Sequence, residues 1–152
     1  MTAVRSDLVG TLATLWRYPV KSMRGEELNA ADISTRGLAG DRNYAVIDME
    51  TGKVASAKHP KKWGRLFDCR ALSTPASSNG HAAPVQVMLP DGTWATSGTT
   101  DIDEQLSTML GRTVRLTTAV PMVPQLEEYW PEVTGRARQN TVTDEAMPAG
   151  TF

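Results

Sequence analysis

Short apolar segments, each ended by a proline or glycine turn, recur along the first 120 positions of the chain. Residues 43–48 (NYAVID) and 85–89 (VQVML) are two examples, and turns containing Gly52 and Gly92 follow them. Short strands joined by tight turns favour a barrel or a sandwich over a doubly wound sheet. We therefore predict a mainly β fold, namely a small β-barrel of short strands with one or two short helices and an irregular C-terminal tail.

The helical pattern of the chain lies at residues 101–110. Apolar residues from Ile102 to Leu110 recur at helical spacing, and Thr100 with the acidic residues after it suits a helix start. Gly111 suits the helix end because glycine adopts the left-handed conformation readily. The pattern predicts a helix that packs on the barrel through one apolar face.

Length and composition place the chain among ordinary single-domain proteins. It has 152 residues, of which 40% are hydrophobic and 22% are charged. The first residues lack the apolar centre of a signal peptide, and no apolar run reaches the length of a membrane span. Cys69 is the single cysteine, so an internal disulfide is excluded. We predict a cytoplasmic protein that contacts no membrane.

Charge is distributed unevenly along the chain. Residues 1–65 carry eleven Lys and Arg against seven Asp and Glu, whereas residues 66–152 carry five against ten. A basic half attracts anionic ligands, and the alternative is a chance imbalance in a short chain. The pI of about 6.1 and the absence of a basic helix argue against nucleic acid as a partner.

Two short motifs provide candidate binding residues. Lys21 and Ser22 follow Pro19, and Arg42 lies between a glycine turn and an apolar strand. Lysine, a hydroxyl and arginine near strand ends suit the oxygens of a phosphorylated cofactor. The alternatives are an ordinary surface lysine and an internal ion pair of Arg42 with Asp41 or Asp48.

Other polar residues give weaker indications. The basic run at 58–65 (KHPKKWGR) suits a phosphate or an acidic partner domain, and the alternative is a solvated face. The two histidines lack acidic or thiol residues at ligand spacing, so no metal site is predicted. No nucleophile or phosphate-loop motif occurs, and we predict no catalytic residue.

Seven segments of the chain form an ordered series of motifs. They are 15–26 (LWRYPVKSMRGE), 37–42 (GLAGDR), 45–48 (AVID), 51–53 (TGK), 56–58 (SAK), 60–64 (PKKWG) and 106–114 (LSTMLGRTV). Taken in order, these segments resemble one known family, the N-terminal β-barrel domain of MOSC proteins. This family includes relatives of the molybdenum cofactor sulfurase C-terminal domain and of the amidoxime-reducing molybdoenzymes.

The resemblance implies a place for each of the candidate binding residues. Lys21, Ser22 and Arg42 would contact the pterin and phosphate of the molybdenum cofactor (molybdopterin), between this domain and a following MOSC domain. The cysteine that ligates the metal belongs to that second domain, and Cys69 does not match it. We expect residues 1–120 to form the β-barrel domain and residues 121–152 to form a linker and the start of a truncated MOSC domain.

Three functions stay open at this point. The first is a cofactor-binding module of an enzyme that reduces N-hydroxylated substrates or handles sulfur, inactive without a MOSC-domain chain. The second is a standalone barrel that binds or converts a small molecule in its lumen. The third is a non-catalytic interaction domain that associates with itself or with a MOSC chain through Tyr129, Trp130 and Phe152.

Overall fold

Short strands dominate the architecture. The structure is a computed structural model that describes residues 9–35, 37–75, 82–135, 137, 140–148 and 152. Its elements are β1 (Trp16–Arg17), β2 (Glu26–Glu27), β3 (Ile33–Ser34), β4 (Gly37–Leu38), β5 (Ala45–Asp48), α1 (Pro60–Trp63), a 3₁₀ turn (Gly64–Asp68), β6 (Arg70–Ser73), β7 (Val85–Met88), β8 (Trp94–Thr96), α2 (Asp101–Leu110), β9 (Val114–Thr117), β10 (Gln125–Trp130) and β11 (Thr141–Ala146).

The strands pair antiparallel in several small sheets. Two-stranded pairs are β1–β2, β3–β4, β5–β9 and β10–β11, and β6–β7–β8 form a three-stranded sheet. The mainly β fold with two short helices confirms the predicted fold class. Over the described ranges, the sheets do not close into a barrel.

The core follows from the alternation of the strands and from one face of α2. In β7, Val85 and Val87 are fully buried while Gln86 between them is exposed. Ile102 and Leu106, one helical turn apart on α2, are buried in the same cluster. The helix begins and ends where the sequence predicts.

The C-terminal segment differs from the prediction of an irregular tail. The strands Gln125–Trp130 and Thr141–Ala146 pair as the hairpin β10–β11, whose register pairs Gln125 with Ala146 and Trp130 with Thr141. Val54 joins this hairpin to β5, since it bridges Ile47 on one side and Leu126 on the other. The hairpin therefore extends the sheet that contains β5.

The three side chains expected to form an exposed association surface are buried to different extents. Phe152 is buried against Ala45 and Val54. Tyr129 and Trp130 are half-buried, and the Trp130 indole Nε1 donates a hydrogen bond to Thr143 Oγ1 at 2.9 Å. The expectation of an exposed apolar surface is therefore wrong for Phe152, and for Tyr129 and Trp130 it stays a prediction.

Candidate anion-binding site

The backbone brings the two predicted binding motifs side by side. Val20 forms a parallel bridge with Tyr44. The Lys21 amide donates to the Tyr44 carbonyl at 2.9 Å, and the Arg42 amide donates to the Tyr18 carbonyl at 2.8 Å. Motifs that lie twenty residues apart in the sequence are therefore adjacent in space.

Two of the three predicted binding residues have a left-handed backbone. Ser22 has a φ of 67° and Arg42 a φ of 51°. This conformation is unfavourable for residues with a Cβ atom, by roughly 1–2 kcal/mol each. Such strained residues persist only where the surrounding structure holds them, and they cluster at functional sites.

The Arg42 side chain is only loosely held. Its Nε lies 3.7 Å from Asp41 Oδ2, and 58% of the side chain is exposed. The other oxygen of Asp41 accepts a hydrogen bond from the Tyr18 amide at 2.8 Å, so the backbone fixes this carboxylate. The alternative pairing with Asp41 is therefore present, whereas Asp48 pairs elsewhere.

Lys21 lies among other cations. Its pKa is lowered, first by burial and then by the positive charges of Arg42 and Lys58, while Glu145 acts in the opposite direction. Crowded cations of this kind gain stability from a bound anion because the anion relieves their mutual repulsion.

The Ser22 hydroxyl helps to place the segment that contains Lys58. Ser22 Oγ accepts a hydrogen bond from the Ala57 amide at 2.9 Å, which leaves its hydroxyl hydrogen available to donate. Ser56 Oγ likewise accepts from the Lys58 amide at 3.2 Å. The segment 56–58 thus lies against the motif that contains Lys21.

An open cavity of about 550 Å³ lies beside the turn before β5. It is lined by the turn from Gly37 to Asn43 together with Thr118, Val120 and Phe152. Of the three predicted binding residues, Arg42 alone is among its described lining. The cavity is therefore a neighbour of the cation group rather than its centre.

The basic run at 58–65 pairs mostly within the chain. Lys58 forms an ion pair with Glu145 on β11. Lys61 Nζ donates to Tyr129 Oη at 2.6 Å and lies 4.1 Å from the centre of the Tyr129 ring. Lys62 Nζ lies 2.7 Å from Glu127 on β10. The acidic hairpin thus takes the place of the acidic partner that the sequence suggested.

A buried network of charges was missed by the sequence analysis. Asp48 is fully buried, and its Oδ2 lies 3.0 Å from Lys62 Nζ and 3.4 Å from Arg112 Nη1. Burial raises the pKa of Asp48. The hydrogen bonds from Lys62 and the Glu50 amide, together with the nearby cations, lower it by a larger amount, so the net shift is downward. The charge imbalance between the two halves could have indicated the pairs of Lys62 and Lys53 with the acidic hairpin, but it gave no signal for Asp48.

Acidic residues of the hairpin β10–β11 extend this network through Lys53. Lys53 Nζ lies 2.6 Å from Asp144 Oδ1 and 3.5 Å from Glu127 Oε1. The hydrogen bond to Asp144 is the main reason that the pKa of Lys53 is raised. Basic residues of the first half therefore hold the acidic hairpin in place.

Cys69 and His59 are held in packed surroundings. Cys69 is buried, and burial, with a smaller contribution from Asp68, raises the pKa of its thiol to about 11. His59 packs edge-to-face on Tyr129, and burial lowers its pKa. In the described part of the chain, no group of three His, Cys, Asp or Glu side chains is arranged to hold a metal ion.

A family model matches the segment that contains the predicted binding residues. Residues 9–64 match the MOSC N-terminal beta barrel domain. The resemblance predicted from the sequence is confirmed over this segment, which contains Lys21, Ser22, Arg42 and Lys58. No solved structure matches the chain.

Two curated relatives are similar to about a third of the chain. The human protein "Mitochondrial amidoxime-reducing component 1" is 39% identical over 57 residues, which are 35% of this chain and 17% of the relative. The mouse protein of the same name is 36% identical over 61 residues, which are 38% of this chain and 18% of the relative. The chain therefore aligns with less than a fifth of each relative. Among the described residues, no helix has the length and apolar character to cross a membrane.

Proposed function

We propose that this chain supplies the basic wall of a molybdopterin pocket in a MOSC-type protein. Lys21, Ser22 and Arg42 hold the phosphate and the pterin of the cofactor. The observation that carries the proposal is the adjacency of the two motifs through the bridge between Val20 and Tyr44. The match of residues 9–64 to the MOSC N-terminal domain supports it.

The donor set fits such a cofactor. A phosphate takes hydrogen bonds from a lysine ammonium, a serine hydroxyl and an arginine guanidinium, and all three groups come from neighbouring backbone here. The long separation of Arg42 from Asp41 leaves most of its donors available. The strained backbone at Ser22 and Arg42 further supports a functional role for these two positions.

The activity of the complete protein is a separate part of the proposal. The curated relatives are named for amidoxime reduction. We propose that reduction of N-hydroxylated substrates, or sulfur handling, requires a MOSC domain as well, in which a cysteine-ligated molybdenum supplies the redox chemistry. Residues of this chain bind and orient the cofactor, and the domain boundary near residue 120 stays a prediction.

The test is native mass spectrometry with metal analysis of the chain purified from a molybdopterin-producing host, alone and together with a MOSC-domain chain. We expect a molybdopterin adduct that is strongest with the partner. Lys21→Ala and Arg42→Gln each remove a charge-assisted hydrogen bond, and each loss weakens binding by roughly 1.5–3 kcal/mol.

Lys61→Ala is the matched control, because Lys61 belongs to the same basic half but pairs with Tyr129. Its adduct should equal that of the unmodified chain. Equal binding by the Lys21 and Arg42 variants would refute the residue assignment. A clean apo mass in both preparations would refute the cofactor-binding role.

A further inference from the structure

Lys58 is placed next to the proposed phosphate site by the backbone of its own segment. The Ala57 amide, one residue before it, donates to Ser22 Oγ, and the Lys58 amide donates to Ser56 Oγ. The Lys58 carbonyl accepts a hydrogen bond from the Tyr129 amide at 2.8 Å. These contacts fix the backbone of Lys58 whatever its side chain does.

The Lys58 side chain is paired with Glu145 of the hairpin. The pair is surface-exposed, with 45% of the lysine side chain and 41% of the glutamate side chain accessible. Exposed ion pairs contribute little to stability because water competes with both partners. Breaking this pair therefore costs the fold little.

The same two side chains act on Lys21. The positive charge of Lys58 lowers the pKa of Lys21 and the negative charge of Glu145 raises it, which places both groups within electrostatic reach of the site. A carboxylate of the chain thus already neutralises part of the charge that a phosphate would meet.

We propose that Lys58 is a third binding cation of this site and that Glu145 is an internal counter-ion, which a phosphate-bearing ligand must displace. The proposal rests on the function proposed above and adds the regulation of that site by the hairpin β10–β11. With Glu145 in place, the affinity for phosphate is held down, and its removal frees Lys58 for the ligand.

The experiment is a titration of the full chain with inorganic phosphate, followed by NMR through the amides of residues 20–22 and 57–58. We expect Glu145→Gln to bind phosphate roughly two- to fivefold more tightly than the unmodified chain, which is the range of an exposed ion pair. The double variant Lys58→Gln with Glu145→Gln should lose that gain.

Asp144→Asn is the matched control, because it removes the same charge from the neighbouring position. Side chains of adjacent strand residues point to opposite faces, and Asp144 pairs with Lys53 rather than with Lys58. We expect this variant to bind phosphate as the unmodified chain does. An equal gain in both single variants would show a net-charge effect and would overturn the proposal.

The two proposals fail in different ways. If phosphate binding depends on Lys21 but Glu145→Gln brings no gain, the counter-ion role is wrong and the binding site stands. If Lys21→Ala leaves phosphate binding unchanged, the site itself is wrong. Absence of phosphate binding in every variant would overturn both.

Discussion

Replacing Asp48 by asparagine removes one negative charge from the interior while keeping the size of the side chain. Asparagine can still accept the hydrogen bond from the Glu50 amide, which lies 3.1 Å from Asp48 Oδ1. The contacts that lose their charge are those to Lys62 at 3.0 Å and to Arg112 at 3.4 Å. The variant therefore tests the ionic part of the network.

The expected loss of stability is about 3 kcal/mol. Removing one partner of a buried ion pair costs roughly 3–5 kcal/mol, and the lower end applies because Lys62 keeps Glu127 at 2.7 Å. For a chain of this length, that loss corresponds to a fall of roughly 6–12 °C in Tm. Urea unfolding at neutral pH measures the free energy, and thermal unfolding checks it.

The stability that ionised Asp48 contributes should also depend on pH. Because the pKa of Asp48 is lowered in the folded chain, its contribution is fully present above the ordinary value of 3.8 and is lost as the pH falls through the folded value. The difference in the free energy of unfolding between the unmodified chain and Asp48→Asn should therefore become smaller in acid. Asp144→Asn is the control, since its exposed pair with Lys53 contributes at most about 1 kcal/mol. A loss below 1 kcal/mol for Asp48→Asn at neutral pH would refute the reasoning.

Two further predictions concern the core. Leu106→Ala should destabilise the chain by roughly 2–5 kcal/mol in urea unfolding, because Leu106 is fully buried and its removal leaves a cavity, whereas Thr108→Ala on the exposed face of α2 should have little effect. Equal losses in these two variants would contradict the packing described. Cys69 should resist iodoacetamide at pH 8 in the folded chain and react once urea unfolds it, because its buried thiol has a pKa of about 11. Equal rates in the folded and unfolded chain would show that the thiol is accessible.

Local patterns were enough to predict part of this fold. The helix α2 was predictable because its apolar spacing and Gly111, with a φ of 67°, are properties of neighbouring residues. The strand around Val46 was predictable for the same reason.

The hairpin β10–β11 could not be predicted from local patterns. Its prolines and charges suggested an irregular tail, whereas the carboxylates of Glu127, Asp144 and Glu145 find their partners in lysines more than sixty residues earlier. The adjacency of Lys21 and Arg42 likewise depends on a bridge between distant residues. Sequence motifs indicated these two residues, and the basic run at 58–65 was indicated separately. The proposal for Lys58 in particular rests on the packing of the segment 56–58.

The left-handed backbone at Arg42 determines which residues would suit this position best for stability. Glycine would relax this position, as it adopts positive φ without steric penalty, and the weak pairing with Asp41 gives little reason to keep a guanidinium for stability alone. Without the proposed site, selection for stability alone would therefore favour glycine or asparagine at this position. Under the proposed function, the guanidinium at this position serves the ligand, because its pairing with Asp41 is long and exposed.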